Sequence, residues 1–261
     1  MKGLLEVMID AARRAGAGLM RDFERVRELS IREKGASDFV SNADLTSQAL
    51  IADQLVQSFP DACLVLEEDT ASHGLRGVTE FFVDPLDGTT NFLHGIPHFS
   101  VSIACQRDGV LVAGVVFDVP KHELFAAERG KGAWLGERRL SVSRETSLER
   151  SVIGTGVPHR GRPAHERYLA VLPRMMGDVA GIRRMGSAAL DLAYVAAGRF
   201  EAFYETHLSP WDIAAGVVLV REAGGNVVQP NGAPFELTAG HVLAAPEALL
   251  EPLAERLGAL V

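Results

Sequence analysis

Leu4, Leu5, Met8, Ile9, Ala12, Leu19, Met20, Phe23 and Val26 recur at three- and four-residue spacing, so the pattern predicts an amphipathic helix over residues 3–28. Core packing is a sufficient role for its apolar face. Ser41 or Asn42 can cap a second helix that carries Leu45, Ile51, Leu55 and Phe59 and ends at Pro60. The apolar run Cys63-Leu64-Val65-Leu66 then reads as a strand leading into Glu67-Glu68. Residues 80–83 read as a short buried strand, and Pro85, which fixes φ and lacks an N–H, should stop it at Asp84.

From residue 99 to about 140 the pattern is β-rich. Val101-Ser102-Ile103-Ala104 and residues 110–116 flank Asp108-Gly109, a strong hairpin signal, and 122–127 and 132–135 continue the meander. Beyond Ser151 strand and helix alternate. Val152-Ile153 reads as a strand, 164–176 as a helix kinked or broken by Pro173, and 187–197 as a helix ending at Gly198. A strand over 200–204, a helix over 210–223 ending at Gly224-Gly225, a strand over 226–228, and a final strand (241–244) and helix (246–257) complete the pattern. The expectation is an α/β protein with an α+β half (1–146) and an α/β half (147–261), the boundary falling near Arg144 to Arg150. No internal repeat or low-complexity linker separates them, so one continuous interface is expected.

Composition narrows the function classes. In 261 residues, 47% hydrophobic and 23% charged content is that of a soluble globular protein with a substantial core. The formal charge of −8 argues against a general nucleic-acid surface, and Arg13-Arg14, Arg138-Arg139 and Arg183-Arg184 read as solvated faces. Two cysteines, Cys63 and Cys105, make neither a disulfide framework nor a cysteine zinc site. Glu6 and Asp10 interrupt what a signal peptide would keep apolar, and no run is long enough to span a bilayer, so a cytoplasmic location is expected.

The chemistry concentrates in residues 82–92, Phe-Val-Asp-Pro-Leu-Asp-Gly-Thr-Thr-Asn-Phe. Asp84 and Asp87 lie three apart where an apolar run breaks into a turn. Gly88 permits close backbone approach, and Thr89 or Thr90 can cap a helical turn whose free N–H groups point at an anion. Glu67 follows a strand, and Asp212 falls in the first turn of a helix opened by Pro210. Singly, each acid has an ordinary explanation as a turn residue, a strand end or a complement to a helix dipole. Together they are an oxygen-only set suited to Mg²⁺ or Mn²⁺, whose mutual repulsion predicts a metal requirement. Paired cations stabilise attacking and leaving oxygens of an in-line displacement, which points to phosphoryl transfer to water. The eight histidines show no ligand spacing; His94 and His98 flank Gly95 and Pro97, and His207 could border a pocket rim.

Residues 82–94, together with Trp211-Asp212-Ile213-Ala214-Ala215-Gly216 through Glu222-Ala223-Gly224-Gly225, resemble both signature motifs of the inositol monophosphatase family. Glu67-Glu68, Gly186-Ser187-Ala188-Ala189 and Phe203-Tyr204-Glu205 extend the resemblance over nearly the whole chain. It implies a layered αβαβα sandwich, found as a homodimer. It also implies one cation held by Glu67, Asp84 and the Leu86 carbonyl, a second by Asp84, Asp87 and Asp212, and a weaker third Mg²⁺ near Glu67. Glu67 and Thr89 would orient the attacking water, and the Gly88 and Thr89 amides would hold the phosphate. Ala188 and Glu205 would face the sugar or cyclitol, with the Gly154-Thr155-Gly156 turn at the pocket border. Lys34 and Asp44 match outer site positions, although the spacing from Lys34 to Asp38 is about one residue short and Leu66 stands where glycine or serine is common.

The implied activity is a Mg²⁺-dependent phosphomonoesterase acting on myo-inositol monophosphate or a similar small polyol phosphate, with Li⁺ sensitivity left open. Histidinol phosphate, fructose 1,6-bisphosphate and nucleotide 3′-phosphates are alternative substrates for the same metal core. A regulatory protein of transcription or ribosome assembly on the same fold is the alternative of another class.

Overall fold

The computed structural model describes residues 3–26, 31–35, 38–69, 78–158 and 163–261, with the backbone alone for 31–35 and 38–40. Helix α1 (Leu4–Phe23) buries Val7, Met8, Ala11, Ala12, Ala15 and Leu19 on one face, as its spacing predicts. It stops short of residue 28: Phe23 turns into an aromatic cluster, with ring centroids 5.5 Å from Phe92 and 4.9 Å from Phe99. Strands β1 (Ile31–Gly35) and β2 (Asp38–Ser41) form a small antiparallel pair, and α2 (Asn42–Ser58) follows, capped by Ser41.

Seven strands make the first large sheet: β3 (Cys63–Leu66), β4 (Thr79–Asp87), β5 (Ser100–Arg107), β6 (Val110–Asp118), β7 (Glu123–Glu128), β8 (Gly132–Leu135) and β9 (Arg138–Arg139), in that spatial order. β3 pairs parallel with β4 and the others pair antiparallel. The β5–β6 hairpin turns at Asp108 and Gly109, both at positive φ (49° and 75°), as a tight Asp-Gly turn requires. Strand alternation sorts the two faces. Phe81, Val83, Val101, Ile103, Val115 and Phe117 pack toward α1 and α2, whereas Phe82, Ala104 and Val116 face the opposite side. Asp84, two residues after Phe82, falls on that opposite face.

β4 does not end at Asp84. Asp84 pairs with Ser102 and Asp87 with Ser100, so one extra residue is accommodated as a bulge. A proline is compatible with a bulge because the ladder asks no donor of it there, and the Pro85 carbonyl accepts the Ser47 hydroxyl at 2.9 Å. The threonine cap is likewise corrected. The cap of α3 (Thr89–Leu93) is Gly88, at φ 93°, and Thr89 turns its hydroxyl to the Leu86 carbonyl at 3.0 Å.

The second sheet is built from β10 (Val152–Thr155), β11 (Gly181–Arg183), β12 (Ala202–Glu205), β13 (Asn226–Val228) and β14 (Val242–Ala245), in the order β11-β10-β12-β14-β13. The edge strand β11 holds one apolar side chain in Gly181-Ile182-Arg183 and gives no strand signal in the sequence. Strand β12 begins later than expected, because Phe200 packs its ring on Tyr194 at 5.6 Å. Helices α4 (His165–Asp178) and α7 (Glu247–Leu257) cover one face of this sheet, α4 continuing through Pro173. Helices α5 (Ala188–Ala196) and α6 (Pro210–Glu222) lie between the two sheets, buried along most of their length. The architecture is therefore the expected αβαβα sandwich, with three apolar clusters, the middle one filling both sides of the α5/α6 layer.

The middle layer is tight at two glycines. A Cβ on Gly114 of β6 would come within 2.5 Å of the Ala215 carbonyl oxygen of α6, and one on Gly216 would collide with Leu192 of α5. Backbone contact between α6 and the first sheet thus fixes the height of the helix that carries Asp212. Among the described residues no helix is long and apolar enough to cross a membrane.

Candidate active site

The bulge of β4, the end of β3 and the N-termini of α5 and α6 converge on one cavity of about 910 Å³. Glu67, Asp84, Leu86, Asp87, Gly88, Thr89, Ala188, Glu205 and Asp212 all line it, drawn from both sheets and the layer between them. Asp44 does not. Fully buried at the start of α2, it accepts the Ser41 amide at 2.9 Å and the Ser41 hydroxyl at 2.7 Å, and its other oxygen lies 3.3 Å from the Thr89 hydroxyl. Burial raises its carboxyl above the ordinary range against these hydrogen bonds. Lys34 sits on β1, where the description stops at the backbone.

Each acid is anchored locally. Asp84 Oδ1 accepts the Leu86 amide at 2.9 Å, an arrangement that shapes the turn around Pro85. Asp212 is the third residue of α6, and its Oδ2 accepts the Ser209 amide at 2.7 Å in a capping box. Asp87 Oδ2 accepts the Ser187 hydroxyl at 2.5 Å and the Ala189 amide at 2.9 Å, so a carboxylate of the first sheet meets the positive end of α5. Glu67 continues β3 by donating its amide to the Val83 carbonyl at 3.2 Å.

The electrostatics are those of acids crowded beyond comfort. Burial pushes the Asp84 carboxyl well above the usual carboxylate range, and the charges of Glu67, Asp87 and Asp212 push it further the same way. Burial also raises Asp87 to about 6, outweighing the Ser187 hydroxyl and the Ala189 and Ala188 amides that favour its anion. A divalent cation fits this donor set, since the ligand atoms are all oxygens and the repulsion among them falls when positive charge enters. Among the described residues no three or more His, Cys, Asp or Glu side chains already stand as a closed cage. The oxygens named above are turned toward protein donors instead.

The far wall differs in character. Glu205 ends β12 with its carboxylate lying over Gly156, where any Cβ would collide with it. Asp191, on α5, lines the cavity while only 1% exposed, and burial and the neighbouring Glu205 and Asp87 charges raise its carboxyl well above the ordinary range. The sequence reading passed over it, yet a carboxylate in the apolar stretch Ala188–Ala196 was a visible signal. Tyr168 also lines the wall, as does Tyr204 beside Glu205 at the end of β12; Arg184, expected with Arg183 on a solvated face, borders the cavity instead. His94 and His207 reach the rim; His98 is buried away from it, and burial lowers its imidazole to about 4.

Known proteins resemble the chain over nearly its whole length. The profile of the inositol monophosphatase family matches residues 1–260. The inositol-1-monophosphatase of Rhizobium meliloti is 49% identical over 97% of this chain and 95% of its own length. The Nus factor SuhB of Pseudomonas aeruginosa is 44% identical over 94% of this chain and 92% of its own. A crystal structure of the extragenic suppressor protein suhB from Bartonella henselae superposes with a TM-score of 0.95, at 45% identity and 98% coverage of both chains. With a family profile spanning almost every residue and full-length relatives near half identity, the chain belongs to the inositol monophosphatase family.

Proposed function

We propose that this phosphatase hydrolyses myo-inositol monophosphate or a similar small polyol phosphate by direct in-line attack of water, in the presence of Mg²⁺. The observation that carries the reading is the convergence of Glu67, Asp84, Asp87 and Asp212 on the cavity that also holds the Gly88 turn. Two to three Mg²⁺ ions, or Mn²⁺ in their place, would be held by these acids and the Leu86 carbonyl. When bound, they supply charge neutralisation and Lewis-acid activation at both the attacking and the leaving oxygen.

The chain's own groups divide the remaining work. The Gly88 and Thr89 amides, at the start of α3, bind the phosphate oxygens, which needs the close approach that Gly88 at φ 93° allows. The Thr89 hydroxyl, held between the Leu86 carbonyl and Asp44, orients water toward phosphorus, and Glu67 accepts its proton. No side-chain nucleophile is required. Ala188 and Glu205 face the alcohol, Glu205 accepting hydrogen bonds from adjacent hydroxyls. The 147–261 half thus supplies Asp212 and the substrate contacts to a phosphate end built by residues 1–146. A homodimer in the cytoplasm belongs to the same reading.

A panel of purified substrates compared by kcat/KM tests the assignment. Faster turnover of histidinol phosphate, fructose 1,6-bisphosphate or a nucleotide 3′-phosphate than of myo-inositol 1-phosphate would replace the named substrate. The likeness to proteins named Nus factor SuhB supports a second reading, a regulatory role alongside catalysis. An Asp87→Asn variant that releases no phosphate yet fully supports a cellular phenotype of the gene would favour it.

A further inference from the structure

Asp87 has two carboxylate oxygens, and the fold has already engaged one of them. Oδ2 accepts the Ser187 hydroxyl at 2.5 Å and the Ala189 amide at 2.9 Å. A serine hydroxyl has a single proton and two lone pairs. With that proton committed to Asp87, Ser187 can only accept from its other neighbours. Its oxygen takes the Leu190 amide at 3.3 Å, which caps α5, and lies 3.3 Å from the Ser100 hydroxyl, which must then be the donor. The direction of the chain follows: Ser100 on β5 donates to Ser187 at the head of α5, and Ser187 donates to Asp87 at the end of β4. Ser100 is fully buried and Ser187, at the cavity wall, is 1% exposed, so the two serines bond mainly to protein.

We infer that Ser187 is a positioning residue for Asp87, backed by Ser100, and fixes which of the two Asp87 oxygens is left to face the cavity. A carboxylate can rotate about its terminal bond and present either oxygen or both. Two donors on Oδ2 restrict that freedom and make Oδ1 the oxygen a cation can take without breaking either of those bonds. The inference rests on the reading of Asp87 as a cation ligand.

The competing explanation is that Ser187 serves only as a helix cap. Glycine caps a helix nearly as well as serine and alanine does not, so Ser187→Gly keeps the cap and deletes the hydroxyl. Titration of Mn²⁺ into the metal-free full-length protein, followed by calorimetry and by the electron paramagnetic resonance of free Mn²⁺, separates the two. Positioning predicts that Ser187→Gly and Ser187→Ala both weaken Mn²⁺ binding about 10–100-fold, that Ser187→Thr restores it, and that both lower the metal-free melting temperature by losing the bond to Asp87, Ser187→Ala the more because it also loses the cap. Ser100→Ala should weaken binding by itself and add nothing to Ser187→Gly. Wild-type Mn²⁺ affinity in Ser187→Gly, or additive effects in the double variant, overturns the inference. Failure of the wild-type protein to bind Mn²⁺ or Mg²⁺ at all overturns the cation reading, and this inference falls with it.

Discussion

Asp84→Asn should make the metal-free protein more stable while destroying its response to Mg²⁺. Asp84 is 2% exposed, and Glu67, Asp87 and Asp212 all oppose its ionisation. Asparagine has the same shape, and its carbonyl oxygen can still accept the Leu86 amide that Asp84 Oδ1 accepts at 2.9 Å. What changes is one buried anion among four. Replacing even a buried ion pair by neutral residues of similar volume is often neutral or stabilising by roughly 1–4 kcal/mol, and a cluster of like charges has more repulsion to relieve than a pair. With about 2 kcal/mol, and a shift of roughly 2–4 °C per kcal/mol for a chain of this size, the metal-free melting temperature should rise by about 4–8 °C. Wild type regains that and more with cation, because a ligand at a hundred times its dissociation constant adds about 2.7 kcal/mol. Differential scanning calorimetry at pH 7.5, in EDTA and then in excess Mg²⁺, reads both numbers. The variant should melt higher than wild type in EDTA, lower than wild type in Mg²⁺, and show no phosphatase activity in either. A variant that melts lower in EDTA, or that keeps the wild-type Mg²⁺ shift, refutes the account of four acids held against their own repulsion.

Asp212→Asn keeps its cap on the Ser209 amide, so it should melt within a few degrees of wild type yet lose on the order of 10²-fold or more in kcat/KM; unchanged turnover removes Asp212 from the site. Gly156→Ala should drive the Glu205 carboxylate from its seat, raising KM for myo-inositol 1-phosphate more than KM for p-nitrophenyl phosphate, which offers no hydroxyls. Equal losses on both substrates would mean that Glu205 does not read the alcohol. His98, lowered by burial to about 4, stays neutral in the fold while its unfolded counterpart protonates near 6.5. Its contribution to stability is therefore complete above pH 6.5 and disappears as pH falls toward 4, at about 1.4 kcal/mol per pH unit across that window. Denaturant melts of wild type and His98→Gln at pH 7, 6, 5 and 4 should show wild type losing about 3 kcal/mol more than the variant, and parallel curves would contradict the assignment.

The acids were legible because their neighbours in sequence announce them. Asp84 and Asp87 flank a proline in a run that must turn, and Asp212 follows Pro210 at a helix start; both are local signals. The extent of β4 was not legible, because whether Pro85 ends a strand or rides in a bulge depends on Ser100 and Ser102 across the ladder and on Ser47 beneath it. The cap of α3 was misread for a related reason. Thr89 is a good capping residue in isolation, but the Leu86 carbonyl three residues back claims its hydroxyl, and Gly88 takes the cap position. The role of Ser187 depends on contacts spanning about a hundred residues, which no periodicity within α5 reports, whereas Asp191 was visible as a lone carboxylate in the apolar stretch of that helix. The layer order came from the family resemblance, since the alternation by itself gave only a mixed first half and an alternating second half; β11, whose Gly181-Ile182-Arg183 holds one apolar side chain, carried no strand signal, unlike Asn226-Val227-Val228 at the other sheet edge.

Helix α6 touches the first sheet backbone to backbone at Gly114 and α5 at Gly216, and Asp212 stands on its first turn. The phosphatase centre therefore has no hinge of its own on that side: it is an outcrop of the core rather than a module mounted on it. Heat should silence catalysis when the whole middle layer lets go, and not before. Small overpacking substitutions along α6, far from any substrate, should act as active-site mutations by lifting Asp212 a fraction of an ångström.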